Sequence, residues 1–209
     1  MSTVRRAESQ GKFESSNIST VRDHKDMDDG GDMQGLELFE NALCGRFPHM
    51  KYCLCAPPCS EAIPQAAVTE VYDKLFIGSI QSAYKLKELR ENKITHVLNV
   101  SCMYYTKRPK LVYLDIDVHD SLSEDVKRHF RITNRYIDEG RKEGCVLVHC
   151  TDGKSRAAAF VLAYLIAKQK VKLKDGVLTL RSKMPDVQPN ENFMRQLTEY
   201  DLEQLAKLS

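Results

Sequence analysis

From Val68 onward the apolar and polar positions fall into short blocks whose period switches between two and about 3.6, which predicts strands alternating with helices. Val71 to Ile77 alternates as a strand pair. Ser82 to Asn92 carries Leu86 and Leu89 at helical spacing, and Ile94 to Val100 reads as a buried strand. Leu111 to Val118 puts Leu114, Ile116 and Val118 on one face and Asp115 and Asp117 on the other, the period of a strand with one wet side. Ser123 can cap a helix running to about Arg141, with Glu124 and Asp125 favourable in its first turn. Cys145 to His149 is a short apolar strand. Ser155 to Lys168 is a helix apolar nearly all round, hence central, and helices near Leu173 to Lys183 and Asn190 to Leu208 close the chain. The expected fold is α/β, a central, mostly parallel twisted sheet with helices on both faces.

The N-terminal third has a different texture. Met1 to about Gln34 is rich in Ser, Asp, Lys and Gly and cannot bury enough apolar surface to offset the entropy of ordering. Leu36, Leu38, Phe39 and Leu43 offer a helix turn or a sticky tail, and Pro57, Pro58 and Pro64 mark a linker. A chain of 209 residues suits one core plus an appendage. The division expected is therefore a disordered or loosely structured extension over residues 1–66 and one folded domain over 67–209, acting as a monomer.

Charge adds little. Lys and Arg total 31 against 29 Asp and Glu, a weak field that does not argue for nucleic acid. Ala157 to Ala167, the longest apolar run, is too short to span a bilayer, and Met1 to Gly11 is polar where a secretory leader would be apolar. These readings imply a cytoplasmic or nuclear protein whose seven cysteines are reduced. Cys44, Cys53, Cys55 and Cys59, with His49 among them, could offer ligands to zinc, but the C-x-C step is unlike common structural sites, so no metal and no other cofactor is expected.

Seven cysteines and thirteen arginines would by chance produce a Cys and an Arg separated by five residues about 0.4 times in such a chain, and it occurs twice. Between Cys102 and Arg108 the residues are bulky and lack glycine. Between Cys150 and Arg156 stand Thr151, Asp152, Gly153, Lys154 and Ser155, flanked by a strand and a long helix. This second arrangement is an anion cradle: Gly153 lets the backbone bend with N–H groups inward, and the helix N-terminus points its unpaired donors at the same spot. The same dipoles should lower the Cys150 pKa and make it a nucleophile, while Arg156 holds two phosphate oxygens. His149 orders the loop backbone. Thiolate attack on a phosphate ester needs an acid for the leaving group. Asp120, on a loop after the Leu111 to Val118 strand, is the first candidate, with Asp117 and then His119 behind it.

The run Val148-His149-Cys150-Thr151-Asp152-Gly153-Lys154-Ser155-Arg156 resembles the signature loop of dual-specificity protein phosphatases, within the cysteine-dependent protein tyrosine phosphatase superfamily. Val71 to Ser79 is similar to that family's opening strand pair, Ile94 to Ser101 to its buried second strand, Val118-His119-Asp120 to its general-acid loop, Ala163-Tyr164-Leu165 to the helix after the loop, and Pro189 to Phe193 with Gln196-Leu197 to its closing helix. The resemblance implies hydrolysis of phosphotyrosine and phosphoserine or phosphothreonine through a phosphocysteine intermediate, with Cys150 as nucleophile, Arg156 as clamp and Asp120 as general acid. It implies that residues Thr151 to Arg156 bind the phosphate and that Asn99 and Asn190 hold the loop in shape. Phosphoproteins, among them mitogen-activated protein kinases, are the implied partners.

Two departures matter. Where most members carry Ser or Thr after the arginine, this chain has Ala157, which predicts slow hydrolysis of the intermediate and leaves a low-turnover phospho-binding module as a rival. Lys154 also occurs in phosphoinositide-directed relatives, but those place a base directly after the cysteine, where this chain has Thr151. The pattern favours phosphoproteins over phosphoinositides.

Overall fold

The structure, a computed structural model, describes residues 68–207 apart from Tyr104 and Thr106. The expectations for residues 1–66, including the cysteine cluster, lie outside the described residues. Five strands form one sheet: β1 (Thr69–Tyr72), β2 (Leu75–Ser79), β3 (Ile94–Asn99), β4 (Val112–Asp115) and β5 (Cys145–Cys150), in the order β1-β2-β5-β3-β4. Only the β1/β2 pair is antiparallel; the other three pairings are parallel. The strand that precedes the Cys150 loop therefore sits at the centre, hydrogen-bonded on both sides, so the position of its last residue is over-determined.

Helices cover both faces, as the sequence pattern predicts. On one side α1 (Ile80–Tyr84) and α2 (Leu86–Glu91) close a small core of Phe76, Ala83, Leu89, Ile94, Val97 and Leu147. The single helix expected over Ser82 to Asn92 is thus two short ones, the first starting earlier because Ser79 and Ser82 form a reciprocal capping box. On the other side lie α3 (Phe130–Glu143), α4 (Arg156–Gln169), α5 (Leu173–Lys183) and α6 (Glu191–Ala206). Every residue of α4 from Ala157 to Ile166 is buried, which explains its lack of a polar face: α3, α5, α6 and the sheet pack around it.

Two boundaries differ from expectation. β4 stops at Asp115, so Ile116 to Val126 is irregular rather than strand. Ser123 caps no helix. Its hydroxyl meets that of Ser121, and a 3-10 turn at Lys127–His129 leads into α3 only at Phe130. The free amides at that entry, Val126 N–H and Lys127 N–H, donate instead to Oε1 of Gln196 on α6, at 2.9 and 3.0 Å. A long-range amide does the work a local hydroxyl would do at a helix start.

Candidate active site

The segment from Cys150 to Arg156 bridges the C-terminal end of β5 and the N-terminus of α4. Gly153 has φ +80, and a Cβ there would lie 2.8 Å from the carbonyl oxygen of Gly78, so both the backbone turn and the close approach to β2 require glycine. The bend sends the Gly153 N–H to Cys150 Sγ at 3.2 Å. The loop is moored from outside by Ile80 N–H donating to Thr151 O and Gln188 N–H donating to Lys154 O.

The Cys150 sulfur is fully buried in this turn. Burial pushes its thiol up; the Arg156 charge and the N–H groups of Ala157 and Gly153 pull it down, and the Asp152 carboxylate adds to the upward push. Burial wins, contrary to the lowered value expected from the helix and loop dipoles alone. The reason is that desolvation penalises the thiolate, and an acidic side chain beside it removes part of what Arg156 contributes.

Arg156, first residue of α4, lays its guanidinium against the loop. One Nη2 hydrogen goes to Thr151 Oγ1 at 2.7 Å and Nη1 donates to Val118 O at 3.1 Å. Its Nε is buried and makes no hydrogen bond among the described residues, the nearest acidic oxygen, Asp120 Oδ2, standing at 3.7 Å. The Nε edge together with the second Nη2 hydrogen is the fork that suits two oxygens of one phosphate. Thr151 thus orients Arg156 through its side chain.

Asp120 comes to the same place from the loop after β4. Its Oδ1 accepts from Ser155 Oγ at 2.9 Å and from Asn190 Nδ2 at 2.7 Å. Asn190 also caps α6 by accepting from Phe193 N–H, and its own N–H donates to Ser155 Oγ. Asn190 therefore ties the loop, the carboxylate and α6 together. Of the other acid candidates, Asp117 is exposed and the His119 ring sits against Cys102 Sγ at 3.6 to 3.7 Å; Asp115, at the end of β4, is bonded to Asn99 and paired with Lys107.

Asn99 departs from expectation. Its side chain accepts from Ser101 and donates to Met103 O and Asp115 Oδ1, so it organises the turn after β3 and makes none of its side-chain hydrogen bonds to residues 150 to 156. The reason is register: Asn99 lies opposite His149, one residue short of the loop. Lys154 likewise turns out to Asp186 at 3.1 Å. His149 is buried, its Nδ1 facing Cys150 O and its Nε2 facing the Tyr105 hydroxyl at 2.6 Å; burial lowers its pKa to about 4, so it is a neutral brace.

Residues that sequence reasoning missed hold the acid loop. Asn192 donates to Glu124 O, and Gln196 donates to the same carbonyl while accepting from Val126 and Lys127. Their signal was present only as amides on the inner face of a closing helix.

Residues 75–203 match the family "Dual specificity phosphatase, catalytic domain". A probable dual specificity protein phosphatase of Dictyostelium discoideum is 37% identical over 136 residues, covering 65% of this chain and 34% of that protein. MAP kinase phosphatase with leucine-rich repeats protein 3 of the same organism is 35% identical over 135 residues, covering 64% of this chain and 16% of that protein. The chain thus spans about a third of the length of the first relative and about a sixth of the second. Among solved structures, a mouse putative dual specificity phosphatase complexed with zinc tungstate superposes with a TM-score of 0.66 at 31% identity, covering 73% of this chain and 97% of that one.

Proposed function

Because this chain belongs to the dual-specificity phosphatase family, we propose that it hydrolyses phosphate monoesters on tyrosine, serine and threonine side chains of phosphoproteins, residues 67 onward forming the catalytic unit. In the first step the Cys150 sulfur, as thiolate, attacks phosphorus: the S–P bond forms, the P–O ester bond breaks, and Asp120 gives its proton to the departing oxygen. In the second, Asp120 takes a proton from water, whose oxygen attacks phosphorus and releases inorganic phosphate and the thiolate. Arg156 meets the oxygens on which charge gathers. His149 holds the strand end, and Asn190 and Ser155 position the acid.

One observation carries this reading: the Cys150 sulfur lies under the Gly153 N–H in a turn bounded by an arginine whose Nε has no hydrogen-bond partner among the described residues. That is a nucleophile, an anion cradle and a spare cationic donor in one place. Mitogen-activated protein kinases are the substrate class we favour, because one relative is a MAP kinase phosphatase. Parallel assays of doubly phosphorylated kinase-loop peptides and phosphoinositide head groups test it. Cys150-dependent release of phosphate from the peptides is expected, and turnover of the head groups alone would overturn the phosphoprotein reading. Ala157, buried beside the sulfur where a hydroxyl would help release the intermediate, favours a second reading in which the same site binds phosphorylated partners with slow turnover.

A further inference from the structure

Asp152 lies in the middle of the cradle, and its carboxylate is engaged there twice. Its Oδ1 stands 3.7 Å from Cys150 Sγ, where it can accept the thiol hydrogen, and it accepts the Lys154 N–H at 3.1 Å. A phosphate oxygen seated over the sulfur needs those backbone donors. The Gly153 N–H is given to the sulfur and the Lys154 N–H to Asp152, so two of the loop's backbone donors are already engaged before an anion arrives.

We propose that Asp152 is a built-in occupant of the phosphate cradle, its carboxylate taking the place of a phosphate oxygen and having to swing out before a phosphate group can bind. The inference rests on the reading of this loop as a phosphate site and adds a determinant of what that site accepts.

The charges around Asp152 support it. Lys154, two residues on, points away to Asp186, and no lysine or arginine forms an ion pair with Asp152 among the described residues. Asp120, across the site, is held by Ser155 and Asn190; His149, behind the loop, is a neutral imidazole. Arg156 is the cation that acts on the sulfur among the described residues, and its Nη groups are turned to Thr151 and Val118. A phosphoryl dianion and the Asp152 carboxylate within about 4 Å of one another repel strongly at any effective dielectric short of bulk water. Asp152 is also exposed on its outer side, so nothing buries it in the inward position. Inorganic phosphate, which brings nothing but its own oxygens, is discriminated against. A phosphopeptide can draw on contacts outside the cradle to displace the carboxylate. Return of Asp152 then helps expel the phosphate product.

The test compares the full chain with Asp152→Asn and Asp152→Ala. Asparagine keeps an oxygen for the Lys154 N–H but drops the charge; alanine drops both. Inorganic phosphate is titrated calorimetrically into each form on a Cys150→Ser background, and its inhibition constant is measured against an aryl phosphate in the forms that keep Cys150. Expected is tightening by about tenfold in both Asp152 variants, with a matching fall in KM for the aryl phosphate and unchanged thermal midpoints. If Asp152 only fixes the loop, Asp152→Asn binds phosphate as the parent does and Asp152→Ala binds it more weakly, which overturns the proposal alone. Phosphate binding to none of the forms would remove the phosphate-site reading and the proposal with it.

Discussion

The Ser155 hydroxyl donates to Asp120 Oδ1 at 2.9 Å, so the candidate acid is tethered to the same loop that carries the nucleophile. Asn190 completes the tether by donating to both. Ser155→Ala should lower kcat about tenfold with little change in KM, the loss falling on esters with poor leaving groups, which need the proton most. A loss independent of leaving-group pKa would show that Ser155 does not act through Asp120.

Ala157 is fully buried, and its N–H supports the Cys150 sulfur, so a serine hydroxyl at this position would reach the sulfur as phosphate leaves. Ala157→Ser should raise the steady-state rate by about tenfold or more, in line with the roughly 1.5 to 3 kcal/mol that one hydrogen bond to a charged group contributes. It should also leave the first-turnover burst rate unchanged. Rapid-quench measurement on an aryl phosphate checks both; an unchanged steady state would locate the slow step elsewhere.

Gly153→Ala places a methyl group 2.8 Å from Gly78 O at a φ of +80. Neither backbone can yield without moving β2 or β5. The expected outcome is loss of activity by about a hundredfold or more and a destabilisation of roughly 1 to 3 kcal/mol, read by urea denaturation. Retention of full activity would mean that the loop has a second workable conformation.

His149 is the pH-sensitive brace. Burial holds its pKa at about 4, below the ordinary 6.5 it regains on unfolding, so between those values the unfolded chain binds the extra proton. Stability attributable to His149 is therefore intact above pH 6.5 and is lost as pH falls toward 4, by on the order of 3 kcal/mol in total. Imidazole shifts followed by NMR should show a neutral ring with hydrogen on Nδ1, facing Cys150 O, and Nε2 accepting from Tyr105. A midpoint at 6.5 or above would overturn this.

Gln196 serves three backbone groups of the segment that follows Asp120, those of Glu124, Val126 and Lys127. Gln196→Leu leaves Val126 N–H, which is buried, without a partner and should cost about 2 to 3 kcal/mol. Because Asp120 precedes that segment, kcat should fall with it while phosphate affinity holds. Equal losses of kcat and phosphate affinity would instead mean general unfolding of the site.

The order of elements, the sheet with helices on both faces, and the Cys150 to Arg156 loop were legible in the sequence because each is written in neighbouring residues: period two or 3.6 in the strands and helices, one glycine in the bend, an apolar surface all round α4. Where the acid loop begins and how α3 starts were not legible. Ser123 has the side chain of a helix cap, yet the cap is Gln196, seventy residues from Val126 along the chain. Asn99 has the position of a loop support, yet strand register leaves it beside His149 and turns its side chain to Asp115.

The sequence by itself determined which residues are candidates to attack, clamp and protonate, because side-chain chemistry and local spacing are properties of the chain. Only the tertiary structure decided the balance of charge at the sulfur and the tethering of Asp120 to the Cys150 loop through Ser155 and Asn190. Both depend on desolvation and on hydrogen bonds from α6, distant in sequence, and such terms exist only once the chain has closed around them.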